Sequence, residues 1–276
     1  MCAVLTRMNC SLPYPLASDV SMEDYNIFIE NKEISGYKFE YSNGTVYIVD
    51  MCTNEHEAIV TLMYRFFSAH SPISSNAPIQ LRGQPLHGSP AGGSARIAPD
   101  FAVFPHQTYV PNPPVPHPGP PPSDIRGNPY ARIICEIAMA QTSSNLKAKC
   151  KLWMRQSYVR SVLGIKLYNI KNTRNNPQGE RDRAMKAILW RQGVPKQKWK
   201  FGTVNKDGSP TGPTGCNGPN DPNYVITIPV SDVFYDPAVP AIGYTPLPPP
   251  PATLMNAVFI IDLYEIQQMV LLSQAK

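Results

Sequence analysis

The sequence predicts an α/β fold in which a mixed central β-sheet is flanked by helices and carries proline-rich loop insertions. Three observations predict it. Short apolar runs of strand length alternate with stretches whose apolar residues recur at helical spacing. A strand, a helix and a further strand follow one another between residues 131 and 170, the order of a crossover connection. Prolines gather in residues 105–122 and 237–251, where they interrupt the pattern.

In chain order, residues 1–21 lack periodicity and read as a loose leader, ahead of a single domain over 22–276 with its core in 24–170. Asp24 to Asn31 suits a short helix. Tyr37–Tyr41 and Thr45–Val49 flank Asn43-Gly44, the favoured two-residue hairpin turn. Thr53 or Asn54 can cap a helix running to about Ala69, with Ile59, Leu62, Met63, Phe66 and Phe67 on one face. Glu55 and His56 share that inward face and Glu57 points to water. Residues 77–82 and 96–104 read as strands around a Gly/Ser/Pro loop. Nine prolines between 105 and 122 make a stiff surface excursion, suited in composition to a proline-motif-binding partner. Ala131–Ile137, Ser143–Ser157 and Val162–Ile170 follow as strand, helix and strand. Beyond them lie a Gly/Pro/Asn-rich loop at 205–222, a strand at Tyr224–Pro229, and a strand and helix over 257–274; residues 205–276 form a C-terminal extension.

With 276 residues and 42% hydrophobic content the chain can bury a sizeable core. A net charge of +5 permits contact with nucleic acid and is too small to demonstrate it. Cysteines at 2, 10, 52, 135, 150 and 216 match neither zinc-ribbon nor disulfide spacing, which points to a reducing intracellular compartment, cytoplasmic or nuclear. No apolar stretch approaches the roughly 20 residues of a membrane span, so no membrane partner is expected. The sequons at Asn9 and Asn43 then read as chance matches. There is no G-x-S-x-G elbow, which argues against a serine hydrolase.

Chemistry points elsewhere. Pro99-Asp100 opens the apolar run Phe101–Phe104, and Glu136 sits within Ile133–Ile137. A carboxylate buried without a partner costs several kcal/mol, and a shared cation is one remedy. Magnesium is held by one or two carboxylates plus waters and phosphate oxygens.

The order of Phe39-Glu40-Tyr41-Ser42-Asn43-Gly44, His56, Pro99-Asp100-Phe101-Ala102-Val103, Ile134-Cys135-Glu136-Ile137 and Asn145-Leu146-Lys147-Ala148-Lys149 resembles the PD-(D/E)XK nuclease superfamily, and within it the restriction-endonuclease branch, over about Asp24 to Ile170. The resemblance implies a restriction-endonuclease-like fold and metal-dependent hydrolysis of nucleic acid, DNA before RNA, with Mg2+ or Mn2+. It makes Asp100 and Glu136 the metal ligands, Glu40 an additional upstream acid, and His56 a lesser candidate beside its reading as a core histidine. A homodimer is compatible with it.

The chain departs from the pattern at the lysine. Two residues after Glu136, where the superfamily's lysine shares a strand face with the acid, stands Ala138. Lys147 and Lys149 flank the apolar stripe of the following helix symmetrically, and the resemblance selects Lys149. A nuclease fold that binds nucleic acid or protein without chemistry is therefore the competing expectation. Lys186, Arg191, Lys196, Lys198 and Lys200, interleaved with Trp190, Trp199 and Phe201, form a basic stretch: either a solvated face with its aromatics turned inward, or a surface for backbone contact and stacking.

Overall fold

The computed structural model describes residues 12–31, 36–92, 95–110, 124–176, 179–206, 214–235 and 248–274. Most of the first proline-rich insertion and of the second proline-rich segment lies outside these residues.

Near the N-terminus, β1 (Tyr14–Ala17), β2 (Tyr37–Ser42) and β3 (Thr45–Met51) form a small antiparallel sheet in the order β1-β3-β2, on which α1 (Met22–Asn31) packs through Tyr25 and Ile29. Asn43 and Gly44 both adopt positive φ, 49° and 77°, as a tight hairpin turn of this kind requires. The expected leader is thus partly structured: Tyr14 pairs with Ile48 and Pro15 with Tyr47, because the outer edge of β3 offers unpaired backbone groups.

The central sheet has six strands in the order β13-β12-β9-β8-β7-β4: Val194–Gly202, Ala184–Arg191, Ser161–Leu167, Ile133–Ala138, Phe101–Pro105 and Ile79–Gly83. Among the described residues β8 and β9 pair in parallel and every other neighbouring pair in this sheet is antiparallel. The parallel pair is joined through α3 (Ser143–Trp153), the crossover the sequence predicts. Thr142 caps α3 by accepting the Asn145 N–H, and the helix ends at Trp153, four residues before its expected limit.

The strand expected over 96–104 is instead broken. Arg96–Ile97 (β6) pairs with His87–Gly88 (β5) in a separate ribbon, and β7 begins at Phe101, because Pro99 carries no N–H to continue a ladder. Residues 184–202, over which the sequence pattern predicts no strand, form the β12–β13 hairpin. Trp199 and Phe201 turn into the core and leave Lys196, Lys198 and Lys200 exposed.

Alternation along the strands divides the interior. Phe101, Val103, Ile133, Cys135, Ile137, Leu163 and Ile165 face α2 (Asn54–Phe67) and the C-terminal unit of β14 (Val225–Pro229), β15 (Val258–Asp262) and α4 (Leu263–Ser273). That C-terminal unit forms its own two-stranded sheet and does not extend the central one. Ala102, Phe104, Ile134, Ala138 and Val162 face α3, through Leu146, Cys150 and Trp153. Glu136 alternates onto this second face. Among the described residues no helix is long and apolar enough to cross a membrane.

Candidate functional site

Five elements converge on one buried point. Asp100, at the entrance to β7, and Glu136, in the middle of β8, are each 1% exposed. Each fixes one carboxylate oxygen with a neutral donor: Ile137 N–H donates to Asp100 Oδ2 at 2.7 Å, and Trp153 Nε1–H donates to Glu136 Oε1 at 2.6 Å. The other oxygen of each acid is thereby aimed at a shared point, which the Lys38 ammonium from β2 holds. Its Nζ lies 2.6 Å from Asp100 Oδ1 and 2.9 Å from Glu136 Oε2.

Around this centre stand the other sequence-predicted residues. Lys149 of α3 is buried, with Nζ 3.4 Å from Glu136 Oε2 and 3.5 Å from Glu40 Oε1. Lys147, its rival on the helical wheel, is half-buried and forms no ion pair among the described residues. Glu40 sits at the rim. His56, in the first turn of α2, places Nε2 3.2 Å from Asp100 Oδ1 and Nδ1 2.9 Å from Glu57 Oε1. The structure thus brings Asp100, Glu136, Lys149, Glu40 and His56 together.

Lys38 is the residue sequence reasoning passed over. It shares a strand face with Glu40 two residues on, and a lysine alternating with an acid there reads as solvated, so the signal was present without being distinctive. Beside Lys38 and Phe39 the pairing of β2 with β3 shifts register. Lys38 is 13% exposed.

Electrostatics bind the cluster. Burial alone raises the Asp100 carboxyl, but the Lys38 charge and the His56 hydrogen bond outweigh it and hold Asp100 well below the usual carboxylate range. Burial keeps Glu136 above its ordinary value despite Lys149 and Lys38, and the neighbouring Asp100 charge adds to the rise. For Lys38, burial opposes the charge while the two carboxylates prevail and drive its pKa well upward. His56 is raised as well, Asp100 and Glu57 overcoming its burial.

The donor set fits a hard divalent cation. Two carboxylate oxygens converge on one position with their partner oxygens already tied, so a cation there meets oriented oxygen ligands. A softer alternative nearby is weaker: Cys52, His56 and Glu57 present a thiol, an imidazole and a carboxylate within 4.8 Å of one another, but burial and the Asp100 charge push the Cys52 thiol up to about 11 and keep it protonated. A cavity of about 660 Å³ opens beside the site, lined by Glu40, Tyr41, Gln141, Asn145, Lys149 and Arg155.

Comparison with protein-family models, with curated proteins and with solved structures gives no significant match in any of the three.

Proposed function

We propose that this chain is a metal-dependent nuclease of the PD-(D/E)XK type, with a restriction-endonuclease-like core, hydrolysing phosphodiester bonds of nucleic acid, DNA before RNA, inside the cell. The observation that carries the reading is the convergence of Asp100 Oδ1 and Glu136 Oε2 on one point, with a second ammonium, Lys149, 3.4 Å from Glu136 and beside an open cavity. Asp100 and Glu136 are the residues to hold Mg2+ or Mn2+, which supplies Lewis acidity and an acidified water. Lys149 is placed to donate hydrogen bonds to charge developing on the phosphate, Glu40 orients Lys149 from the rim, and His56 steadies Asp100 through Nε2, 3.2 Å from Oδ1.

The predicted outcome is cleavage of plasmid, linear DNA or RNA in Mg2+ or Mn2+, reduced roughly 100-fold or more in Asp100→Asn, since metal-ligand loss removes several kcal/mol of charge stabilisation. Absence of cleavage on all three, or cutting that survives the substitution, overturns the reading.

A second reading, a nuclease-like fold that binds without chemistry, draws on Lys38, whose ammonium already neutralises both acids. Lys38→Met separates the two. On the nuclease reading, Mg2+ replaces the lost ammonium and restores the variant's melting temperature; on the binder reading, the variant melts low with or without Mg2+.

A further inference from the structure

Across three neighbouring strands, lysines stand directly opposite one another. Lys186 of β12 pairs with Lys166 of β9 on one side and with Lys200 of β13 on the other. Residues opposed in this way have Cβ atoms about 5 Å apart, and like charges so placed repel. Lys196 and Lys198 share the Lys200 face of β13 by alternation, and Lys147 on α3 and Lys206 after β13 add charge that, after burial, lowers the Lys186 pKa together with Lys198 and Lys200.

Edge-strand lysines have a bland explanation, since they block edge-to-edge aggregation. It covers β13, the sheet edge, and does not cover Lys166 and Lys186, which lie on inner strands. Nor is the repulsion relieved within the chain: among the described residues no carboxylate forms an ion pair with Lys147, Lys186, Lys196, Lys198, Lys200 or Lys206. Lys166 donates to the Met139 carbonyl and has Asp50 as its nearest acidic influence.

The row also has a fixed relation to the carboxylate site. Glu136 pairs with Gly164 and Ala138 with Lys166, so the lysines start two residues along the strand from Glu136 and leave it sideways on the same sheet face. Resting on the nuclease reading above, we propose that Lys186, Lys198 and Lys200, with Lys147 and Lys206, form a phosphate-backbone track that holds a nucleic-acid strand beside α3 and feeds it to the Asp100–Glu136 site, while Lys166, buried against the Met139 carbonyl, lies beneath the track. The partner is a polyanion with repeating phosphates, whose bound counterions are released as the lysines replace them.

The test is fluorescence anisotropy of a labelled oligonucleotide, single-stranded and duplex in separate arms, in EDTA so that nothing is cut. Each lysine contacting a phosphate contributes about one unit to the slope of log affinity against log salt. Lys186→Gln/Lys198→Gln/Lys200→Gln is expected to weaken binding roughly tenfold or more and to flatten the slope by about three units. The Lys198→Gln/Lys200→Gln pair, both exposed, is expected to flatten it by about two and guards against misfolding of the triple variant. Wild-type affinity and slope in the double variant overturn the track, as does equal binding of polyglutamate. Binding through the lysines by a wild-type protein that cuts nothing leaves the track standing and overturns the nuclease instead, whereas cleavage with unchanged slopes does the reverse.

Discussion

Lys38 and His87 show how differently one fold treats two buried bases. Lys38 is surrounded by acids, so burial fails to neutralise it and its ammonium bridges Asp100 and Glu136. His87 lies in an aromatic enclosure of Phe104, Tyr130 and Trp153, with Nδ1–H donating to the Pro85 carbonyl and Nε2 without a partner among the described residues. Burial there pushes its pKa down to about 4. Because the unfolded histidine titrates near 6.5, the unfolded chain binds more protons between those values, and stability falls as pH drops through the window. The expected loss is about 3 kcal/mol between pH 7 and pH 4, read from urea unfolding at each pH as the difference between wild type and His87→Asn. Parallel pH profiles for the two proteins contradict this assignment.

At the scale of elements, the approach of α3 to the sheet positions Lys149, and Gly164 permits it. A Cβ at Gly164, directly opposite Glu136, meets Cys150 Sγ at 2.9 Å and the Trp190 ring at 3.2 Å. Gly164→Ala is therefore expected to destabilise by about 1–3 kcal/mol through overpacking. In a Cys150→Ala background the same change costs less, and a double-mutant cycle by urea unfolding measures the relief; strict additivity contradicts the contact. Elements whose signals are local were legible in the sequence: the Asn43-Gly44 turn, the Thr53 cap, and the apolar stripe of α2. Elements decided by partners distant in the chain were not. The β12–β13 hairpin carries lysines at alternate positions, which reads as charge composition until the strand pairing is known. β1 owes its strand form to the free edge of β3.

For the whole molecule, the sheet is the device that brings together acids 36 residues apart in sequence, since Asp100 immediately precedes Phe101 and Phe101 pairs with Cys135 beside Glu136. Asp100 and Glu136 could be singled out beforehand because buried charges in apolar strands are exceptional, whereas the helical wheel leaves Lys147 and Lys149 equivalent and only the resemblance selects Lys149. Lys38 could not, because its strand alternates polar and apolar residues and only the tertiary fold turns its polar face inward. Both carboxylates have one oxygen tied by an N–H and one aimed at the common point, an arrangement that demands a cation, which Lys38 supplies here and a divalent metal supplies in the proposed function. The most direct measurement is a Mn2+ titration of the intact protein followed by electron paramagnetic resonance, with Asp100→Asn and Glu136→Gln as companions. A metal held by these two acids gives saturable Mn2+ binding that weakens roughly tenfold or more in each variant; no bound Mn2+ in the wild type, or binding indifferent to both substitutions, contradicts a metal at this site.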